Sequence, residues 1–474
     1  MDFQQIYLGC LAQASYLVGD RGLCAIVDPR RDVDVYLEEA SKRGLRIAHI
    51  IETHLHADFV SGHMELAGRT GATIHIGHRA GASFPHHPVR EGDEIVMGKV
   101  VLRFLETPGH TPESLCVLVI DRAVSELPVK VLTGDTLFIG DVGRPDLVSS
   151  KGFSSKQMAA MLHESLHTRL LPLPDAVEVW PAHGAGSACG RAISSERSST
   201  IGAQRSLNWA LQPMPVETFV DLLTTDLQPA PRYFTHDAEH NRRGAPALAD
   251  LPRPAALTPA VVRQRAAEGA VVLDLRDKVA HGAAHVPGSI NIGLGGSFAA
   301  WSGSLLPLDG PLVLVADEPP AQEGQVEEAV MRLARVGLHA VAGYVDGGLA
   351  AWRAAGLPVA TLQQLPVEEL APRRDLFILD VRGPGEYAAA HARGAVSIPL
   401  PQLADRAGEL DKRRPTAVIC ASGYRSSAAC GVLRRAGFTD LVNVAGGTNA
   451  WVAAKLPTEA APAPAAGATP ARGG

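Results

Sequence analysis

Two groups of reactive residue types stand far apart on this chain of 474 residues, and each suits a different chemistry. The run Thr53-His54-Leu55-His56-Ala57-Asp58 packs two imidazoles and a carboxylate into one short stretch, the donor types that hold transition metals. Further His and Asp residues follow in Pro108-Gly109-His110-Thr111, Thr133-Gly134-Asp135 and Pro181-Ala182-His183-Gly184. The second group, Cys420-Ala421-Ser422-Gly423-Tyr424-Arg425, places a thiol at the head of a loop that ends in a cation. A metal that activates a small molecule and a cysteine that carries a transferable atom point together to sulfur chemistry.

The metal-ligand candidates share a local setting, because each follows an apolar β-rich run. His54 and His56 follow residues 48–52, His110 follows 102–107 through a Pro-Gly turn, Asp135 follows 129–133, and His183 follows 177–180. Strand ends of one core lie along a common edge, and loops on a rigid scaffold are where sites form. The chain has 18 histidines, and most need no special explanation. The group His75, His78, His86 and His87 has no carboxylate at ligand spacing and reads as surface or core. Cys189, six residues beyond His183 in a Gly/Ala/Ser run, reads either as a small buried residue or as a thiol that relays sulfur near the metal.

Residues 416–419 read as a strand that delivers Cys420 to a loop, with a helix from about Ser426. Backbone N–H groups of Ala421, Ser422, Gly423 and Tyr424, with the helix N-terminus, can form an anion-binding nest, and Arg425 adds a formal charge. Lowering a thiol pKa by about two units takes roughly 2.7 kcal/mol of anion stabilisation. Cys430 lies among Ala428, Ala429 and Leu433 and reads as core.

The chain repeats itself from residue 257 on. Val272-Leu273-Asp274-Leu275-Arg276 matches Ile378-Leu379-Asp380-Val381-Arg382, and His285 and His391 follow at the same interval. Each copy ends alike, in Gly347-Gly348-Leu349-Ala350-Ala351-Trp352 and Gly446-Gly447-Thr448-Asn449-Ala450-Trp451. Short β runs alternate with helical patterns at 327–336 and 426–436, the signature of βαβ units around a mostly parallel sheet. In the first copy the run 311–315 leads into Ala316-Asp317-Glu318-Pro319-Pro320, with no cysteine and with acids that would repel sulfur anions. Ahead of the repeat, many β runs with a helical pattern at 33–43 predict a two-layer sheet core flanked by helices. The Pro/Arg-rich stretch 228–254 reads as a linker, and residues 459–474 as a disordered tail.

Residues 1–245 resemble the metallo-β-lactamase superfamily through the His-x-His-x-Asp phrase and the three later motifs in the same order. That family's dinuclear zinc hydrolases have His directly after the motif Asp, where this chain has Phe59, so one metal is expected. The run Gly134-Asp135-Thr136-Leu137-Phe138-Ile139-Gly140-Asp141-Val142-Gly143-Arg144-Pro145-Asp146 is similar to the persulfide dioxygenase branch. The resemblance implies one Fe(II) on His54, His110 and Asp135, with His56, Asp58, His183, Arg144 and Asp146 orienting ligands or substrate. Two His and one carboxylate leave several positions open, as O2 chemistry on non-haem iron requires. Residues 362–456 resemble rhodanese sulfurtransferases, and the Cys420–Arg425 loop has the six-residue form of that family rather than the longer phosphatase form. The resemblance makes Cys420 and Arg425 the catalytic pair and the first copy inactive.

The expected architecture is α/β: a metallo-β-lactamase αββα sandwich (1–250), an inactive rhodanese-like domain (257–358) and an active one (362–458). The expected reaction is oxidation of a glutathione or other low-molecular-weight persulfide by O2 to sulfite, coupled to thiosulfate/sulfite exchange through Cys420. Two alternatives stay open: a zinc thioester hydrolase of the glyoxalase II kind, and a non-catalytic sulfur carrier or scaffold. A net charge of −6 with scattered basic residues gives no nucleic-acid footprint. The absence of a long apolar run or signal-like start argues against a membrane and for the cytoplasm, where six thinly spread cysteines stay reduced. Self-association into a homo-oligomer is compatible with the sequence and not specified by it.

Overall fold

The computed structural model describes residues 1–147, 152–225 and 227–460. They form two compact units, Met1–Leu251 with Met331–His339, and Pro252–Val330 with the chain from Ala340 onward.

The first unit holds two six-stranded sheets. One runs in the order β1 (Asp2–Leu8), β2 (Gln13–Asp20), β3 (Leu23–Val27), β4 (Arg46–Glu52), β5 (Thr73–Gly77), β6 (His87–Val89). The other is built from β7 (Glu94–Met97), β8 (Val100–Glu106), β9 (Leu115–Asp121), β10 (Lys130–Gly134), β11 (Glu178–Pro181) and β12 (Ser199–Thr200), with neighbours in descending order from β12 to β7. Alternation along the strands decides which face meets what. Tyr16, Val18, Ala25, Val27 and Ile51 from the first sheet pack with Leu102, Phe104, Val117 and Val119 from the second, forming the core between the sheets. Leu17, Ile26, Ile47 and Ile50 face the other way, onto α1 (Asp34–Lys42) and α2 (His63–Thr70), where Tyr36, Ala40 and Leu66 cover them. The outer face of the second sheet is covered by α3 (Ser155–Ser165), α4 (Ile201–Leu207) and α5 (Val216–Thr224) through Leu162, Ile201, Phe219 and Leu223.

This is the expected four-layer sandwich, and the helices after His183 belong to its outer layer rather than to a separate domain. The apolar runs all became strands, while β1, β5, β6, β7 and β12 were missed. These are edge or near-edge strands with polar side chains or, in β6, a Pro88 that only an edge tolerates. The stretch read as a linker is the larger correction. It contains α6 (Tyr233–Arg243), whose Tyr233, Phe234, Asp237 and Asn241 are buried.

The second unit contains two parallel five-stranded sheets of identical topology. The first takes β13 (Ala255–Leu257), β14 (Val271–Asp274), β15 (Ile290–Asn291), β16 (Leu312–Val315) and β17 (Val341–Val345) in the order β13-β17-β16-β14-β15. The next group comprises β18 (Gln363–Pro366), β19 (Phe377–Asp380), β20 (His391–Ala392), β21 (Val396–Ser397), β22 (Thr416–Ile419), β23 (Leu441–Ala445) and β24 (Thr458–Glu459). Its sheet repeats the pattern as β18-β23-β22-β19-β21. The repeated Asp-x-Arg phrase is a brace in both copies. Arg276 pairs with Asp274 at 2.6 Å and donates to the Ala284 carbonyl, and Arg382 pairs with Asp380 at 2.7 Å and donates to the Ala390 carbonyl. Thr458–Glu459 pairs with His391–Ala392, so the chain is still ordered where the tail was expected to begin. The remainder of that tail, from 461, lies outside the described residues. Among the described residues no helix is long and apolar enough to cross a membrane.

Candidate metal centre and thiol loop

The C-terminal ends of β4 and β10 and the loop after β8 converge on one buried point. His54, His110 and Asp135 each offer a ligand atom there, all within 4.8 Å of one another. His110 Nε2 stands 3.4 Å from Asp135 Oδ2, and His54 Nε2 stands 3.9 Å from the same oxygen. All three side chains are essentially inaccessible, and His54 Nε2, His110 Nε2 and both Asp135 oxygens have no hydrogen-bond partner. Four orphaned buried polar atoms aimed at one point would be costly unless a cation satisfies them.

The surroundings fix the tautomers this requires. His110 Nδ1 donates to the Arg144 carbonyl at 2.8 Å, which leaves Nε2 with its lone pair. Thr53 Oγ1 gives its proton to Asp28 Oδ2 at 2.9 Å and so accepts from His54 Nδ1 at 3.0 Å. Burial, reinforced by His56, His110 and His183, holds His54 well below the usual imidazole pKa, so it is a neutral ligand. Asp28 itself sits at φ +52, a region costly for a non-glycine residue, and from there its carboxylate also takes the Thr53 N–H at 2.7 Å. Gly143 passes so close that a Cβ would lie 2.0 Å from the Asp135 carbonyl oxygen and 2.9 Å from His110 Nδ1. Only glycine fits.

The other residues singled out from the sequence divide. His183 Nε2 lies 3.4 Å from Asp58 Oδ2 and 3.5 Å from Asp135 Oδ1, so Asp135 offers one oxygen to each side. His56 turns inward, with Nε2 3.1 Å from Asp28 Oδ1 and 3.6 Å from Glu52. Burial penalises its cation, but Asp28, Glu52 and Asp58 outweigh that and push His56 up to about 9. Arg144 is no free cation for substrate. Its guanidinium is clamped bidentately on Asp146 at 2.7 and 2.8 Å and donates to the Ala188 and Gln228 carbonyls. Cys189 has its sulfur within ligand range of Asp135 and His183, yet burial and the carboxylates of Asp58 and Asp135 push its thiol far up. That environment keeps the proton on and disfavours a nucleophilic thiolate. Phe59 is buried with its ring 4.4 Å from that of His56.

Asn241 on α6 went unremarked in the sequence. Its amide donates to the carbonyls of His56 and Phe59 at 2.8 and 2.7 Å and accepts the Ser61 N–H at 2.8 Å, clasping the loop that carries the metal-ligand phrase. The His75 group makes no ligand set among the described residues. His75 instead meets His49 at 3.0 Å, and burial pushes it down to about 4.

Cys420 directly follows β22 and is buried. Its Sγ accepts from the Gly423 N–H at 3.2 Å and from the Ser426 hydroxyl at 3.3 Å, the latter a partner not foreseen. Gly423 reaches this pose at φ +90, and Gly447 lets the next turn approach so closely that a Cβ would lie 2.1 Å from the Cys420 carbonyl oxygen. Arg425 has a partner beyond the thiol loop, because both its terminal nitrogens pair with Glu386 at 2.6 Å. The charge assigned to the thiol is shared with a carboxylate. Cys430 is buried in its helix, which pushes its thiol up to about 12. All six cysteines are free.

Comparison with known proteins follows this division. Residues 8–183 match the metallo-beta-lactamase superfamily, and residues 258–355 and 364–454 match the rhodanese-like domain. The chain is 28% identical over 237 residues to the mitochondrial persulfide dioxygenase ETHE1 of Homo sapiens, spanning 48% of this chain and 83% of that protein. It is 33% identical over 169 residues to a hydroxyacylglutathione hydrolase of Methylococcus capsulatus, spanning 34% of this chain and 57% of that one. A solved metallo-beta-lactamase from Staphylococcus aureus subsp. aureus COL is 34% identical, covers 73% of this chain and 99% of its own, and superposes with a TM-score of 0.64.

Proposed function

Since this chain belongs to the metallo-beta-lactamase superfamily and continues into two rhodanese-like domains, we propose that it is an iron-dependent persulfide dioxygenase with a sulfurtransferase on the same polypeptide. The observation that carries this reading is the buried set of unpartnered atoms on His54, His110 and Asp135. Two imidazoles and one carboxylate are the donor set that iron uses for dioxygen chemistry, and such an ion would supply adjacent open positions for O2 and a sulfur anion. Similarity to persulfide dioxygenases supports the substrate class.

The chain's own groups do the rest. The Arg144 carbonyl and Thr53 Oγ1 aim the two imidazoles, and Arg144 is held to that task by Asp146. Asp58 Oδ2 stands 3.4 Å from His183 Nε2 beside Asp135. Phe59 closes the position that a second metal would need. Atoms and charge balance as one persulfide, one O2 and one water giving one thiol, one sulfite and two protons. The domain limits are 1–250, 257–358 and 362–458, and the second rhodanese-like domain is the active one, because Cys420 lies in it and Ala316 stands at the matching strand end of the first. Sulfane sulfur passes through Cys420, which either feeds the metal centre or combines sulfur with sulfite as thiosulfate. The free thiols suit a reducing compartment such as the cytoplasm.

Elemental analysis of the full chain, purified without added metal, tests this together with an oxygen electrode. The expected result is about one iron per chain and O2 uptake that depends on glutathione persulfide and yields sulfite. Zinc with cleavage of a glutathione thioester would replace the proposal with the hydrolase reading.

A further inference from the structure

The thiol loop does not stand alone in its unit, since the module without a cysteine reaches it. Tyr424 donates its hydroxyl proton to the Gly293 carbonyl at 2.7 Å, and Ser427 bonds Asn291 at 2.7 Å. Trp301 of the first module lies with its ring 5.9 Å from the Arg425 guanidinium. Most telling is Lys278. Its Cδ and Cε pass 3.4 and 3.3 Å from where a Cβ on Gly423 would be, so its stem lies against the residue whose N–H holds the Cys420 sulfur. The ammonium has a long pairing, 3.9 Å to Asp277, whose carboxylate is already engaged in capping Val279 N–H at 2.8 Å. Arg425, by contrast, is bound to Glu386 through both nitrogens.

We propose that the first rhodanese-like module supplies a second cation to the Cys420 site, with Lys278 binding the sulfonate end of a sulfur oxyanion. This rests on the reading of Cys420 as a sulfur carrier. Thiosulfate is the donor that fits. The Cys420 thiolate attacks its outer sulfur, the sulfur–sulfur bond breaks, and sulfite leaves with the electron pair while Cys420 keeps a persulfide anion. Charge is conserved at −3 on both sides, and Lys278 faces the group that carries most of it. The same contact would hold sulfite when the step runs backwards. An ammonium on a flexible stem can meet the sulfonate oxygens as a compact point charge with three donors.

Steady-state sulfur transfer to cyanide by the full chain tests it, with thiosulfate and cysteamine persulfide as alternative donors. Lys278→Met is expected to raise KM for thiosulfate about tenfold, with kcat little changed and KM for cysteamine persulfide unmoved. Lys278→Arg should recover part of the loss, and the salt sensitivity of the thiosulfate KM should fall in Lys278→Met. A Lys278→Met KM for thiosulfate within about twofold of the parent, or an equal loss with both donors, overturns the inference. Cys420→Ser separates the two levels: it should be inactive with either donor, and turnover in that variant would sink the sulfur-carrier reading itself.

Discussion

Replacing Asn241 by Ala removes the clasp on the loop that bears His54, His56 and Asp58. Three buried backbone groups lose a partner at once: the carbonyls of His56 and Phe59 and the N–H of Ser61. Asn241 is fully buried, so bulk water cannot replace it without entering. At a net value of about 1 kcal/mol per hydrogen bond the loss is about 3 kcal/mol. A water lodged in the vacated space would lower it, and an orphaned carbonyl would raise it. For a unit of this size about 3 kcal/mol corresponds to a fall of roughly 6–12 °C in the midpoint of its unfolding. Loosening residues 56–61 also loosens the approach of His54, so chelator-driven metal loss should accelerate. The assay pairs thermal unfolding of the full chain with the rate at which a coloured chelator strips the metal, for Asn241→Ala and the parent. A midpoint shift below about 2 °C with an unchanged stripping rate would refute the argument, since it would mean that this loop is held by other contacts.

Gly143→Ala pushes a methyl against the Asp135 carbonyl and His110 and is expected to lower metal content well below that of the parent, with the fold retained by circular dichroism. Phe59→His offers an imidazole beside the Asp58–His183 pair and should raise bound metal from about one ion per chain toward two when zinc is supplied, read by elemental analysis. Asp237→Asn tests a buried acid. Burial pushes the Asp237 carboxyl up to about 7, so the folded state prefers it neutral and its destabilising effect grows as pH rises from about 4 to 7. The variant should therefore gain stability over the parent progressively across that window, by about 1–3 kcal/mol at pH 8 and by little at pH 4, as measured by denaturant unfolding.

What could be read in advance depended on whether a residue's role was local. Ligand candidates announced themselves because each closes an apolar run, and a strand end fixes where a short loop must point. The duplicated sheet was equally legible, because Asp274-Leu275-Arg276 and Asp380-Val381-Arg382 carry their own brace within a few residues. The helix of Asn241 was not. Its inward positions Tyr233, Asp237 and Asn241 keep a four-residue spacing, but two of the three are polar, so no apolar periodicity marks the face. Lys278 and Ser426 were invisible for another reason. Lys278 is far from Cys420 in sequence, and Ser426 looked like an ordinary helix-start serine. The pairing of Arg425 with Glu386 was not foreseen because Glu386 lies in a different element.

The two rhodanese-like modules share one more correspondence. Where Gly447 lies tight under the Cys420 carbonyl, Gly348 lies under that of Ala316, with a Cβ position 3.1 Å away. The first module has thus kept the seat while losing its occupant. Such a vacant berth is a natural place for a transplant: grafting the Cys420–Arg425 hexapeptide after β16 would ask whether a lapsed copy can be revived by its loop alone, or whether its neighbour's embrace is also required.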